Sequence, residues 1–192
     1  FDDATKFNYG VALQFYDNGR KDSPFFRYTP YRRKVAIQAI DTTGGFRTLL
    51  VDYDETYIAD TPWRVSAHVN LTNNEREKYF GVGDAALGGY TFPGSTQVYG
   101  NFDDYRNALE QQVNGKDYSR YAEYHRTVHA SNINLAYDLL GGRLRPLLGV
   151  EVRHVQVADY TGRMINGVAE EPTHVREDLD SGTIVGIDGG WD

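Results

Sequence analysis

A strict alternation of apolar and polar side chains constrains this chain more than any other feature of its sequence. In residues 7–15 every second side chain is apolar, namely Phe7, Tyr9, Val11, Leu13 and Phe15. Successive side chains of a β-strand point to opposite faces of a sheet, so a period of two predicts a strand with one dry face and one wet face. A run of about nine residues also has the length of a strand that crosses a membrane.

The clearest alternation lies in residues 63–71. One set is apolar and comprises Trp63, Val65, Ala67, Val69 and Leu71, and the other is polar and comprises Arg64, Ser66, His68 and Asn70. The polar set requires water on its face, whereas the apolar set requires lipid or a protein core. In a membrane barrel the first set is therefore predicted to face lipid and the second to face the lumen, with Trp63 near an interface.

Further period-two segments cover residues 31–39, 46–57, 121–139, 148–157 and 183–191. Within residues 121–139 the apolar phase changes near Asn132, which predicts a β-bulge. We also predict turns at residues 41–45 and 141–142, a short helix at residues 105–113 and a long polar loop at residues 161–181. The chain is thus expected to be all-β, with about seven to eight consecutive antiparallel strands.

Composition excludes several classes of function. No run of 18 apolar residues is present, so a membrane-spanning helix is not expected. The net charge of -7 argues against a nucleic-acid partner, because such a partner requires a basic face. The sequence has no cysteine, which removes thiolate catalysis, Cys-ligated zinc and disulfides. Fifteen Tyr and nine Phe against one Met fit a sheet with interfacial aromatic residues better than a helical core.

A soluble antiparallel barrel or sandwich uses the same two-residue period and stays open as an alternative. Several predicted strands span about nine residues or more, whereas globular strands commonly have about five or six. Long strands, hairpin order and connections that alternate between short and long favour an antiparallel transmembrane β-barrel.

The piece from Lys78 to Asp84, KYFGVGD, resembles the FFGxGN signature of BamA/TamA-type outer-membrane proteins, the bacterial surface-antigen superfamily. The matching positions are Tyr79, Phe80, Gly81, Gly83 and Asp84, and Asp84 stands where the family more often has Asn. The surroundings resemble the family in order and spacing over residues 63–70, 118–139, 142–157 and 189–192.

This resemblance implies the N-terminal half of a barrel of about sixteen strands, so residues 1–192 are interpreted as a partial outer-membrane β-barrel domain. The family's POTRA modules, its Arg-Gly-Phe lid-loop motif and its C-terminal strand that ends in an aromatic residue do not occur in this sequence. The implied location is the bacterial outer membrane. The implied role is outer-membrane protein assembly or polypeptide export, a form of protein transport that needs no cofactor and no bond chemistry.

The expected partners follow from the same interpretation. They are outer-membrane lipid and lipopolysaccharide, client or partner polypeptides, and further barrel strands from the same or another chain. The further strands are expected because an open sheet edge in hydrocarbon leaves backbone groups unpaired, at several kcal/mol each.

Two other functions stay open. One is a structural or porin-like barrel subunit of a larger outer-membrane complex. The other is an outer-membrane acyl hydrolase that uses a histidine such as His125 with a serine, although the Gly-x-Ser-x-Gly elbow is absent. On a strand His125 and His129 are about 13 Å apart, too far to share a metal directly. The HExxH pattern also fails, so we interpret both as part of a wet face and do not expect an enzyme.

Acidic residues occur in two groups outside the predicted strands. The first group is Asp103 and Asp104, and the second is Glu170, Glu171, Glu177, Asp178 and Asp180. Neither group follows the spacing of an EF-hand calcium loop. We interpret both as solvated acidic loops, with calcium binding as the alternative, and predict no metal ligands.

Overall fold

The computed structural model describes residues 7–22, 31–78, 89–111, 115–141, 143–162, 164–172 and 181–191. The chain divides into two compact units. The first, which we call the sheet unit, comprises residues 1–73, 127–155 and 182–192. The second, which we call the aromatic unit, comprises residues 74–126 and 156–181.

Seven long strands form one antiparallel sheet, so the all-β prediction is confirmed. In chain order they are β1 (Asn8–Asp17), β2 (Arg33–Thr42), β3 (Phe46–Glu55), β4 (Trp63–Lys78), β6 (Glu123–Tyr137), β7 (Pro146–Asp159) and β10 (Gly182–Trp191). Their order in the sheet is their order in the chain. The connections β2–β3, β3–β4 and β6–β7 are short, which favours antiparallel pairing of consecutive strands, and the period-two segments had indicated this order.

The β2–β3 hairpin shows how local sequence sets the register. Its turn lies within the predicted residues 41–45, where Gly45 has a φ of +89°. That value is in the left-handed region, which glycine occupies without a steric penalty. The amide of Phe46 donates to Oγ1 of Thr42 at 3.0 Å, and Asp41 lies opposite Arg47 in the register. The turn therefore places the apolar side chains of β2 and β3 on the same face.

Strand β6 corrects one prediction. Asn134 donates its side-chain amide to Oγ of Ser66 at 3.5 Å, and Oγ1 of Thr127 donates to Oδ1 of Asn73 at 3.2 Å. Even-numbered residues of β6 therefore share a face with even-numbered residues of β4, and odd-numbered residues with odd-numbered ones, both before and after Asn132. The prediction of a β-bulge is wrong, because the register does not shift. The change of pattern arises because the side chains of one face change from polar to apolar along the strand.

The aromatic unit contains structure that the period-two pattern does not predict. Short strands β5 (Lys116–Asp117), β8 (Met164–Ile165) and β9 (Val168–Glu170) form a three-stranded sheet in the order β5-β9-β8. Residues 161–181 were predicted to form a long loop, but they contain the strands β8 and β9. The helix α1 (Phe102–Leu109) begins and ends earlier than the predicted residues 105–113. It begins there because Oδ1 of Asn101 accepts the amide of Asp104 at 2.9 Å, which caps the helix.

The core of the aromatic unit is built from rings. Phe92, Tyr105, Leu109 and Tyr118 are buried, and Phe92 and Tyr118 have ring centres 4.9 Å apart. Burial raises the pKa of the Tyr105 phenol far above its ordinary value, as expected for a phenol in an apolar core. The helix α1 contributes Tyr105 and Leu109 to this core, one turn apart on the same helical face.

A single turn of 3-10 helix at Ile58–Asp60 precedes β4. In the part of the chain that the structure describes, no helix is long and apolar enough to span a membrane. Strands β1 and β10 are the two edges of the seven-stranded sheet, and each has one neighbour among the described strands. As first and seventh members of an antiparallel sheet, they run in the same direction.

Candidate functional site

The seven-stranded sheet has one apolar face, and the register of the first three strands defines it. Leu13 lies opposite Ile37, which lies opposite Val51. The neighbouring rows are Val11, Ala39 and Leu49 on one side, and Phe15, Val35 and Tyr53 on the other. Because opposite residues share a face, these rows form a continuous apolar surface, which we call the apolar face.

Strand β4 continues this surface with the side chains that the sequence predicted to face lipid. The alternate residues of β4 bind Asp54 and Asp52 of β3, whose side chains lie on the face opposite to Val51 and Tyr53. By alternation the remaining set lies on the apolar face: Trp63, Val65, Ala67, Val69 and Leu71. Trp63 packs edge-on against Tyr137 of β6, with ring centres 4.7 Å apart.

Strands β7 and β10 extend the apolar face to the far edge of the sheet. Val150 lies opposite Ile187, and Val152 lies opposite Val185. A Cβ atom on Gly149 would lie 2.2 Å from Oδ1 of Asn134, so Gly149 belongs to the other face and its neighbours Leu148 and Val150 to the apolar one. All seven strands therefore contribute to a single surface.

Each of the seven strands exposes at least one large apolar side chain on this face, with exposed fractions from 37% at Ile37 and Leu49 to 76% at Ile187. Other members of the face, such as Val35 and Val51, are half-buried. Soluble monomers rarely expose contiguous apolar patches above a few hundred Å², and this surface crosses a whole seven-stranded sheet. Such a surface requires contact with lipid or with another protein layer.

Charged pairs bound the apolar face along the strands. At one end Arg47 lies 3.3 Å from Asp41, and the Tyr9 hydroxyl donates to Asp41 at 2.8 Å. At the other end Arg33 lies 3.1 Å from Glu55, opposite it in the register. Between these pairs β2 carries Val35, Ile37 and Ala39 on this face. The apolar band is therefore finite, about 27 Å long at about 3.4 Å per residue.

The polar face carries the residues that the sequence predicted to face a lumen. Arg64 binds Asp54 with two hydrogen bonds, of 2.9 and 2.7 Å, and Nδ1 of His68 lies 2.5 Å from Asp52. Ser66 accepts a hydrogen bond from Asn134, as described above. Oδ1 of Asn70 accepts the hydroxyl of Thr72 at 2.8 Å and that of Thr48 at 3.4 Å. Apolar side chains interrupt this face at Ile40, Leu50 and Ile184.

A groove of about 580 Å³ lies at the end of the apolar face near Asp41 and Arg47. Val11, Ala39, Leu49 and Leu71 form much of its lining, and its polar margin includes Thr127 and His129. Ala39 has a short side chain beside those of Val11 and Leu49 in the same row. Most of the lining is apolar, so the groove is suited to apolar contact, and Asp41 and His129 are among its polar residues.

Sequence reasoning missed a buried ionic network in the aromatic unit. Glu123 is 3% exposed and binds both Arg76, at 2.7 Å, and Arg120, at 2.6 Å. The guanidinium of Arg120 stacks over the Tyr160 ring at 3.9 Å, and the Tyr160 hydroxyl donates to Glu170. Arg120 is only three residues from Glu123, but Arg76 is 47 residues away. The residues match no motif, so the sequence did not indicate the network.

The structure gives different outcomes for the predictions about the two acidic groups. Asp103 is exposed, and Asp104 lies in the first turn of α1, where a negative charge favours the helix dipole. Glu170 is buried and Glu171 binds Lys116 at 2.7 Å, so the prediction of a solvated loop is wrong for these two. The reason is that β9 brings them against the rest of the unit. Glu177, Asp178 and Asp180 lie outside the described residues.

The signature positions Tyr79, Phe80, Gly81, Gly83 and Asp84 also lie outside the described residues. Among the residues that are described, no three or more histidine, aspartate or glutamate side chains gather into a metal site. His125 packs near Tyr160, with ring centres 6.4 Å apart.

Comparison with known proteins identifies no relative. No protein-family model matches the chain, and neither a curated protein nor a solved structure does.

The buried network yields a test of what stabilises the aromatic unit. Glu123→Gln keeps the side-chain shape but leaves two arginines without their shared carboxylate. We expect a loss of about 3–5 kcal/mol in the free energy of unfolding. Glu110→Gln, at an exposed position, is the matched control and should change stability by less than about 0.5 kcal/mol. Chemical denaturation of the full chain measures both, and equal effects would contradict the assigned role of Glu123.

Proposed function

We propose that this chain is part of a bacterial outer-membrane β-barrel of the surface-antigen type, with its apolar face toward lipid and its polar face toward a water-filled lumen. One observation carries the proposal: large apolar side chains are exposed on the same face of all seven strands. Lipid satisfies such a surface on every strand at once, because hydrocarbon needs no matching shape.

The dimensions of the apolar band support lipid over a second protein layer. A band of about 27 Å along the strand, tilted by about 40°, corresponds to a height of about 20 Å, near the ~25 Å of outer-membrane barrels. The Asp41–Arg47 and Arg33–Glu55 pairs then lie at the two interfaces, where charges contact water. The strands, of 10 to 16 residues, are also longer than the strands of globular proteins, which commonly have about five or six residues.

The polar face supports the same assignment. In a soluble sandwich one face is dry and the other meets bulk water, where ion pairs contribute about 0–1 kcal/mol. Here Arg64 and Asp54 are only 32% and 14% exposed, so their pair is partly shielded from solvent. Side chains from neighbouring strands crowd together on this face, and a dense set of paired polar side chains fits the wall of a wet lumen.

The directions of the two edge strands limit the number of strands that can complete the barrel. Strands β1 and β10 run in the same direction, so direct pairing between them would be parallel. Closure by antiparallel pairing throughout requires an odd number of additional strands, which gives the even total typical of these barrels. The added strands come from the same or another polypeptide.

The resemblance of the segment Tyr79–Asp84 to the surface-antigen signature supports a role in outer-membrane protein assembly or polypeptide export. Such a role uses a barrel edge or lumen and no catalytic group. The alternative is a structural or porin-like subunit of a larger outer-membrane complex. The two open edges of the sheet fit that alternative as well, because a second polypeptide can supply the missing strands.

Folding of the purified chain tests the membrane assignment. We expect a β-sheet circular dichroism signal and a monodisperse species only when detergent micelles or lipid bilayers are present, because the apolar face otherwise contacts water. In plain buffer the chain should aggregate. A folded, monodisperse species in buffer without detergent, seen by size-exclusion chromatography with light scattering, would refute the proposal.

Arginine substitutions on the two faces of β4 test which face meets lipid. Ala67→Arg should cost about 2–4 kcal/mol of folding free energy in bilayers if the site lies near mid-bilayer. Ser66→Arg, one residue away on the polar face, is the matched control and should be tolerated. Reversible unfolding from lipid vesicles measures both variants, and equal costs at the two sites would contradict the assignment.

Photocrosslinking at the sheet edge distinguishes the two functions. A photoreactive residue at Phe15 of edge strand β1 should capture polypeptide, whereas one at Tyr53, in the same row on central strand β3, should capture lipid. Mass spectrometry identifies the captured peptides. Newly synthesised barrel proteins support assembly, and one constant partner supports the subunit alternative. Lipid adducts alone at both positions would contradict pairing at this edge.

A further inference from the structure

Two histidines from neighbouring strands meet on the sheet unit. His129 of β6 and His154 of β7 have ring centres 6.4 Å apart, with an angle of 45° between the ring planes. His129 lies at an odd position of β6, in phase with Ile133, and His154 is in phase with Val152 of β7. Both therefore project from the apolar face, near its polar end where Thr127 and Asn73 are hydrogen-bonded.

We propose that His129 and His154 form a two-histidine site for a divalent transition-metal ion. An imidazole nitrogen binds such an ion at about 2.0–2.1 Å, so two rings on one ion have centres about 5–6 Å apart. The observed separation reaches that range with a small rotation of the side chains. Water completes the coordination, because the site lies at the polar end of the apolar face, beside the hydrogen-bonded Thr127 and Asn73.

A second observation supports ligation by His154. Nδ1 of His154 lies 2.7 Å from Oγ1 of Thr183, which is its opposite residue on β10. Metal-ligating histidines typically donate their other ring N–H to an oxygen, which fixes the ring and its tautomer. With Nδ1–H donating to Thr183, the lone pair of Nε2 is available to the ion. The neighbouring strand thus supplies the orientation that a ligand needs.

The ligand set selects the class of ion. Imidazole suits Cu²⁺, Ni²⁺ and Zn²⁺, whereas Ca²⁺ and Mg²⁺ require carboxylate and carbonyl oxygens. Affinity for a nitrogen site rises from Ni²⁺ to Cu²⁺, so Cu²⁺ is expected to bind most tightly.

The other described histidines serve as internal controls. His125 and His129 are four residues apart on the same strand, a distance of about 13 Å, which is too long for both to bind one ion. His68 lies on the polar face and is engaged by Asp52 at 2.5 Å. The proposed site bridges two adjacent strands, and its chemistry does not depend on whether the apolar face contacts lipid.

Copper titration of the full chain tests the site. With CuCl₂ added to the protein folded in detergent, we expect one equivalent to bind and the electron paramagnetic resonance spectrum to show two nitrogen ligands. His129→Ala and His154→Ala should each weaken binding at least tenfold, whereas His68→Ala should leave it unchanged. Thr183→Val should weaken it about tenfold, since it removes the orienting oxygen but no ligand.

Circular dichroism of each variant separates loss of the site from loss of the fold. Unchanged copper affinity in folded His129→Ala and His154→Ala proteins would overturn the proposal. A spectrum with a single nitrogen ligand would also overturn it. Equal loss of affinity in the His68→Ala protein would place the copper ion on the polar face and refute the assignment.

Discussion

The structure depends on one constraint: adjacent side chains of each long strand need opposite surroundings. Val65 and Val69 share a face with Trp63, while Arg64, Ser66 and His68 between them bind partners on the other face. An apolar side chain gains by leaving water, whereas a charged one loses several kcal/mol unless it is paired. Seven strands in one register extend this separation across the whole sheet, and a single-residue slip would reverse it.

Ion pairs mark the limits of the apolar face and so determine its extent. Asp41 with Arg47 and Arg33 with Glu55 lie at its two ends on the same pair of strands. This arrangement fits the proposed lipid layer, since hydrocarbon has a defined thickness and water begins on both sides of it.

Much of the fold was predictable from the sequence, since period-two alternation located all seven long strands and both faces of β4. The predicted β-bulge near Asn132 was wrong because the polarity of one face changes there without a change of register. The strand Val168–Glu170 was missed because so short a strand carries little periodicity. Of the candidate site, the two side-chain sets of residues 63–71 were predictable. The partners of Arg64 and His68 were not, because Asp54 and Asp52 are selected by the pairing of β3 with β4.

The sequence by itself determined which side chains share a face, because the geometry of an extended backbone sends alternate residues in opposite directions. Only the tertiary structure decided which of them meet. His129 and His154, or Glu123 and Arg76, come together through strand register and loop packing. Such contacts join residues far apart in the chain, so no local pattern specifies them. Their free energy depends on the burial and geometry that the assembled sheet creates.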